Sequence, residues 1–152
     1  HTLFPYTTLF RSPLFEQVKE QLANSARNPA RILNSGEIRE MAESGIEFGA
    51  HTVNHPILTR IPADQARKEI EDSRKQLEDI IGREVSGFCY PNGGPADFNE
   101  DIEEMVRESG YEYACTTIEG LNGPSTDLYA LKRNWTSGSS AALFAARLLL
   151  RE

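Results

Sequence analysis

The segment Gly45–His55, with the sequence GIEFGAHTVNH, holds a helix-ending glycine, a short apolar run and two histidines in direct succession. Glycine adopts the left-handed backbone that closes a helix at little cost, and the run Ile46–Phe48 favours a β-strand. We therefore expect His51 and His55 to lie where a strand ends and a loop begins. That edge of a sheet is where α/β folds keep their active sites.

The succession of helix, glycine, strand and loop occurs three times, at Gly45, Gly82 and Gly110. The second and third glycines precede the apolar runs Val85–Tyr90 and Tyr111–Thr117, which predict strands. A weaker strand is predicted over residues 128–133. Regular alternation of helices and strands predicts an α/β fold with a mostly parallel sheet.

Apolar residues at helical spacing predict the helices between these strands. The strongest of them opens at Pro62, and its apolar stripe is Ala66, Ile70, Leu77, Ile80 and Ile81. A shorter helix is predicted from an N-cap at Ser35 through Ser44. Another carries the apolar residues of the range Phe98–Val106, and we expect Asp97 to cap it.

The composition is that of one acidic globular domain. The chain has 152 residues, 39% of them hydrophobic, and a net charge of -7, which disfavours a nucleic-acid partner because no basic run is present to meet phosphates. No apolar run reaches the ~20 residues of a membrane span. Cys89 and Cys115 lie in predicted strands, where buried free thiols are favoured over a disulfide; their proximity stays open.

Residues 1–12, HTLFPYTTLFRS, have no initiating Met and repeat the unit Thr-Leu-Phe. They resemble a translated cloning or sequencing adapter, which is kept out of fold reasoning. We expect the native sequence to begin near Pro13, so that residues 13–152 form the C-terminal part of one domain. Helices are predicted over residues 13–26 and from Ser139 onward.

The His-x-x-x-His spacing of His51 and His55 is compatible with a metal site, because imidazole is a good ligand for zinc and similar ions. Two ligands do not complete a site, and no Glu follows His51, which excludes the helical zinc-protease pattern. Thr52 and Asn54 are available as hydrogen-bonding partners of a metal-binding pair. A structural pair of loop histidines remains the alternative on spacing alone.

Two stretches together resemble the polysaccharide deacetylases, the chitooligosaccharide deacetylase homology domain of carbohydrate esterase family 4. The first is GAHTVNHP at residues 49–56, flanked by IREMAESG and LTRIP. The second is FCYPNG at residues 88–93, where that family has its third motif. The likeness continues through Thr116-Thr117 and Gly120-Leu121-Asn122, so it covers residues 32–133.

The resemblance implies a partial (β/α) barrel of the polysaccharide deacetylase type that lacks its first strands. It also implies a hydrolase that acts on carbon-nitrogen bonds other than peptide bonds and removes N-acetyl groups from an amino-sugar polysaccharide or oligosaccharide. The metal, zinc with cobalt or nickel as alternatives, would be held by His51, His55 and an Asp.

Further site residues follow from the second stretch of likeness. The resemblance places the backbone amide that meets the oxyanion at Asn92. The loop of Tyr90, Pro91, Asn92 and Gly93 would line the substrate groove, with Tyr90 as a candidate sugar contact.

The departures from the family concern catalysis. The Thr-Phe-Asp-Asp-Gly motif that supplies the base and the third metal ligand is absent, and so is the C-terminal Leu-x-x-His motif of the general acid. Cys89 stands where many members have an arginine. The catalytic base and acid are therefore unassigned, and we expect the chain as it stands to be inactive.

Two alternatives stay open at the level of sequence. One is a non-catalytic carbohydrate-binding or structural domain with a degenerate deacetylase fold, and the other is an unrelated open α/β domain of the flavodoxin kind. The compartment and the oligomeric state are undetermined. The resemblance fits cell-envelope or exopolysaccharide metabolism in a bacterium, and no secretory leader is visible.

Overall fold

The structure is a computed structural model that describes residues 32–134. These residues belong to two compact units, which meet in the chain between Glu47 and Phe48. The predictions for residues 1–12, for the helix over 13–26 and for the helix from Ser139 lie outside the described range. Within that range no helix has the length and apolar character needed to cross a membrane.

In the first unit, helix α1 spans Ser35–Glu43. Its N-cap is Asn34 and not Ser35 as predicted. The Asn34 side chain accepts a hydrogen bond from the Glu37 amide at 3.0 Å, and Glu37 accepts one from the Asn34 amide at 2.9 Å. Asparagine caps as well as serine does, and the Glu three residues later completes a reciprocal capping box.

In the second unit, helices α2 (Ala63–Ile81) and α3 (Glu100–Glu108) confirm the two predicted helices. Helix α2 ends at Gly82 in the left-handed conformation, with φ of 71°. Helix α3 is capped by Asn99, whose side chain accepts from the Ile102 amide at 3.0 Å. The predicted cap Asp97 is wrong, because its carboxylate accepts the Gly94 amide inside the preceding loop instead.

The sheet is parallel and built from short pieces. Strands β1 (Gly87–Cys89) and β2 (Tyr113–Cys115) pair in parallel, and single parallel bridges join Ala50 to Phe88 and Cys115 to Leu131. Four segments are thus neighbours in chain order, with α2 and α3 in two of the connections. The predicted α/β class is confirmed.

Two of the predicted strands are reduced to one paired residue each. Pairing begins at Ala50 and not over Ile46–Phe48. Residues Leu128–Ala130 form a 3-10 turn, because the Asp127 side chain accepts the Tyr129 amide at 2.8 Å and curls the backbone before it can extend. Only Leu131 then reaches β2.

The core lies between the sheet and the two helices. Phe88 and Tyr90 are fully buried and point to the same side of β1, since alternate strand residues share a face. The Phe88 ring contacts that of Tyr111, with centroids 5.1 Å apart, and the Tyr111 hydroxyl donates to the Ile70 carbonyl of α2 at 3.0 Å. This aromatic contact fixes β1 against the helix that follows the histidines.

Cys89 and Cys115 are free, half-buried and directly opposite each other in the register of β1 and β2. A hydrogen bond between the two thiols raises the pKa of Cys89, and burial raises it further. The same hydrogen bond lowers the pKa of Cys115, with a smaller lowering by the charge of Arg133. Cys115 therefore carries the thiolate character of the pair, and Cys89 acts as its donor.

We predict that Cys115 is alkylated by iodoacetamide faster than Cys89 at pH 7, because the thiolate is the nucleophile. Cys89→Ala removes the donor and raises the pKa of Cys115, so that its thiolate fraction at pH 7 falls by up to about tenfold for each unit of the rise and its alkylation slows. Mass spectrometry of the modified peptides over a pH series measures both rates. Cys115→Ala is the matched variant: it removes the partner that raises the pKa of Cys89, so Cys89 should react faster than in the parent chain, although its burial remains. Equal rates for both thiols in the parent chain would contradict the prediction.

Candidate metal centre

The two histidines begin where the pairing of the first sheet segment ends. The Ala50 amide donates to the Gly87 carbonyl at 2.9 Å, and the Cys89 amide donates to the Ala50 carbonyl at 2.9 Å. His51 is the next residue. The histidine loop and the loop after β1 thus leave the carboxyl ends of neighbouring parallel segments, at the same edge of the sheet.

The His51 ring is held in one orientation by the sheet. Its Nδ1 lies 2.7 Å from the Cys89 carbonyl oxygen, an acceptor that requires Nδ1 to carry the proton and leaves the lone pair on Nε2. Burial lowers the pKa of His51, with smaller lowering by His55 and Arg133, against the raising effect of the Cys89 carbonyl. The ring is therefore neutral at neutral pH, with an unprotonated Nε2.

His55 brings a second free nitrogen to the same place. Its ring lies edge-on to that of His51, with centroids 4.7 Å apart and planes at 73°. The His55 Nε2 atom is buried and has no hydrogen-bond partner among the described residues. A buried nitrogen without a partner is costly unless something else binds it, and a metal ion is one such ligand.

The turn between the histidines is strained. Thr52 and His55 both have positive φ, 64° and 58°, and such a conformation costs on the order of 1–3 kcal/mol for a residue other than glycine. The Thr52 hydroxyl accepts the His55 amide at 3.1 Å. Thr52 was offered as a hydrogen-bonding partner of the imidazole rings. In the structure its hydroxyl forms a hydrogen bond with the backbone instead.

A carboxylate from α2 closes the turn. One oxygen of Glu69 accepts the amides of Val53 and Asn54, both at 2.8 Å, and the other accepts the Asn54 side-chain amide at 2.6 Å. Burial alone would raise the pKa of Glu69, but the hydrogen bonds from Asn54 and Val53 outweigh it and lower the pKa. The carboxylate is therefore ionised, and both of its oxygens accept hydrogen bonds from the loop.

Sequence reasoning missed Glu69, although a signal was present. Glu69 lies three residues after Ala66 and next to Ile70, on the buried stripe of α2. A charged residue inside an apolar stripe needs a partner.

These features fit a metal ion in part. Two imidazole rings offer Nε2 atoms, and the Cys89 carbonyl holds that of His51 in the tautomer that binds metal. Within residues 32–134, however, no group of three or more His, Cys, Asp or Glu side chains is placed to share an ion. The described residues therefore make an incomplete site.

The loop after β1 is held by hydrogen bonds and offers one free backbone donor. Asn92 is exposed with φ of 60°, and its amide has no acceptor among the described residues. Thr117 holds the loop by donating its hydroxyl to the Asn92 carbonyl at 2.7 Å and its amide to the Gly93 carbonyl at 2.9 Å. Pro91 is buried beneath it.

Tyr90 is not part of the groove that was predicted for this loop. Its side chain is fully buried and stacks on Phe98, with ring centroids 4.6 Å apart, and its hydroxyl donates to the Tyr129 carbonyl at 2.8 Å. Tyr90 points to the helix side of β1 together with Phe88. The prediction of a sugar contact at Tyr90 is therefore wrong, because strand alternation turns it into the core.

A positively charged side chain, that of Arg133, acts on the sheet edge where His51 lies. The resemblance described above leads to the expectation of an arginine where Cys89 stands; in the structure the positive charge of Arg133 acts on both His51 and Cys115. Its Nε donates to the Thr116 carbonyl at 2.5 Å. The sequence carried no signal for this placement, since it depends on how the chain returns after Leu131.

Two curated proteins similar to this chain are both named as deacetylases. YxkH of Bacillus subtilis, which is named provisionally as a polysaccharide deacetylase, is 30% identical over 75% of this chain and 40% of its own length. The peptidoglycan-N-acetylmuramic acid deacetylase PdaC of the same organism is 31% identical over 44% of this chain and 14% of its own length. The chain thus spans less than half the length of these relatives.

Among solved structures, BC0361, a polysaccharide deacetylase from Bacillus cereus, matches with a TM-score of 0.67 and 26% identity. The match covers 80% of this chain and 38% of BC0361. The sequence profile described as polysaccharide deacetylase matches residues 9–114, well over half of the chain. The chain that carries this histidine pair belongs to the polysaccharide deacetylase family.

Proposed function

We propose that His51 and His55 are two ligands of a divalent metal ion, zinc in the first place and cobalt or nickel as alternatives. The observation that carries the proposal is the buried His55 Nε2 without a partner, beside a His51 ring whose Nδ1 is engaged by a backbone carbonyl. Imidazole nitrogen suits these metals. At least one further ligand has to come from chain outside residues 32–134.

The protein that holds this site is proposed to be a hydrolase that removes N-acetyl groups from an amino-sugar polysaccharide or oligosaccharide. Membership of the family supports this activity, and PdaC is named as acting on N-acetylmuramic acid in peptidoglycan. The substrate class is therefore an N-acetylated glycan, with peptidoglycan as the first to test.

The fold proposed for the whole domain is a (β/α) barrel. Four parallel segments follow each other as neighbours in chain order, whereas a doubly wound open sheet reverses direction at a switch point. The neighbour order supports a barrel over the flavodoxin-like alternative.

In this proposal each loop has one task. A bound metal ion would supply a Lewis acid for the acetamide carbonyl. The Asn92 amide donates to the carbonyl oxygen as that oxygen gains negative charge, and Thr117 keeps the amide in place. The general base and the general acid are assigned to chain outside residues 32–134.

Metal binding is the first prediction from this proposal. The chain should bind Zn²⁺ or Co²⁺. Loss of a group that only supports a metal ligand weakens metal binding about 10–100-fold, so loss of a ligand itself, in His51→Ala or His55→Ala, should weaken it more. Isothermal titration with the metal salts measures this. His1→Ala is the matched control, and its affinity should equal that of the parent chain; equal metal affinity in all four proteins would sink the ligand assignment.

The Asn92 loop gives a second prediction. A Cβ at Gly93 would lie 2.9 Å from the Thr117 amide nitrogen, whereas a Cβ at Gly82 meets nothing within 4 Å. Both glycines have similar positive φ, 67° and 71°. Gly93→Ala should therefore cost about 1–3 kcal/mol more free energy of unfolding than Gly82→Ala in urea titrations; equal losses would show that the loop is not tightly held.

The reaction itself is tested on a longer protein that contains this chain and a complete metal site. It should release acetate from N-acetylated peptidoglycan or chitooligosaccharide, lose that activity after chelation and regain it with zinc. His55→Ala should abolish turnover. A protein that binds the glycan and the metal but releases no acetate would favour the non-catalytic carbohydrate-binding alternative.

A further inference from the structure

We propose that Glu69 is a positioning residue of the metal site: by closing the turn between the histidines, its carboxylate sets where His55 stands relative to His51. This inference rests on the proposed metal site. It concerns a residue on α2, outside the two motifs that carry the family resemblance.

Glu69 is committed to the loop. Its side chain is 7% exposed, and its three hydrogen bonds go to Val53 and Asn54, all between 2.6 and 2.8 Å. Among the described residues no lysine or arginine forms an ion pair with it. The neighbouring acidic residues of α2 behave differently, since Asp72 pairs with Lys68 and Glu71 with Arg67 on the exposed face.

The two histidines are anchored in different ways. The His51 ring is tied to the sheet through the Cys89 carbonyl. Within residues 32–134 the polar and ring contacts of His55 stay inside the turn: its backbone amide donates a hydrogen bond to the Thr52 hydroxyl, and its ring contacts that of His51. Loss of the Glu69 carboxylate should therefore displace His55 and leave His51 in place.

The strained backbone makes this dependence strong. Thr52 and His55 hold positive φ on either side of the two amides that Glu69 accepts. Such a conformation persists only where surrounding contacts impose it. Without the carboxylate the Val53 and Asn54 amides lose their acceptor, and the turn is free to relax towards ordinary backbone angles.

The test compares Glu69→Gln with Glu71→Gln, the same change on the exposed face of α2. The two oxygens of Glu69 accept all three hydrogen bonds from the loop. In glutamine one oxygen becomes an NH₂ group, which cannot accept a hydrogen bond, so at least one loop N–H group loses its acceptor. Zinc chloride titration by calorimetry should show about 10–100-fold weaker binding for Glu69→Gln and no change for Glu71→Gln. Hydrogen exchange at the Val53 and Asn54 amides should speed up only in Glu69→Gln.

Two more variants separate positioning from stability. Val106→Ala shortens a fully buried side chain of α3 by two methyl groups and should lower stability without changing zinc affinity. Asn54→Ala, at an exposed position, removes one of the three donors and should weaken zinc binding less than Glu69→Gln does. A folded Glu69→Gln protein with the zinc affinity of the parent chain would overturn the proposal.

Failure of the metal site itself would look different. If the parent chain binds no zinc, the two histidines do not hold the ion without the missing ligand, and the role of Glu69 is decided by the metal-free protein. There, nuclear magnetic resonance should show the His55 ring signals shifted in Glu69→Gln and the His51 ring signals unchanged. Unchanged His55 signals together with unchanged amide exchange would reject the positioning role.

Discussion

The backbone pairing of Ala50 with β1 is the contact on which the candidate site depends. Two hydrogen bonds of 2.9 Å tie Ala50 to Gly87 and Cys89, and the carbonyl of Cys89 then orients the His51 ring. One short stretch of β1 therefore fixes both the start of the histidine loop and the tautomer of its first residue. β1 is itself fixed by Phe88, which is fully buried against Tyr111.

The second half of the site is held by a balance between strain and hydrogen bonding. A threonine and a histidine adopt positive φ, and the unfavourable backbone energy is offset by the buried carboxylate of Glu69. Charge-assisted hydrogen bonds to backbone amides are stronger than neutral ones. The same helix that covers the core thus also shapes the loop, so core packing and site geometry are coupled through α2.

Much of the fold was accessible from the sequence. Helix-ending glycines, apolar stripes and β-favouring runs located α2, α3, β1 and β2, because these signals act within a few residues. Caps were less predictable: Asn34 and Asn99 cap their helices where Ser35 and Asp97 were expected. Several good capping residues stood side by side, and only the observed hydrogen bonds decide between them.

The site was predictable only where it is local. The positions of His51 and His55 after a sheet segment follow from their own neighbourhood. The roles of Glu69 and Arg133 do not, since each acts on residues fifteen or more positions away in the chain. The prediction for Tyr90 was wrong for a related reason. Tyr90 borders a loop rich in proline and glycine, but it lies on the same face of the strand as Phe88, and that face packs into the core.

The burial of the sheet differs between its two faces, and this difference supports the barrel proposal. On the helix side Phe88, Tyr90 and Ala114 are fully buried, whereas Cys89 and Cys115 on the other side are only half-buried. Parallel sheets are normally covered on both faces. A barrel covers the second face with its own opposite strands, so chain outside residues 32–134 would have to supply them. Parallel strands added in this way would end at the edge where the histidines stand, which is where the proposed metal centre requires its missing ligand.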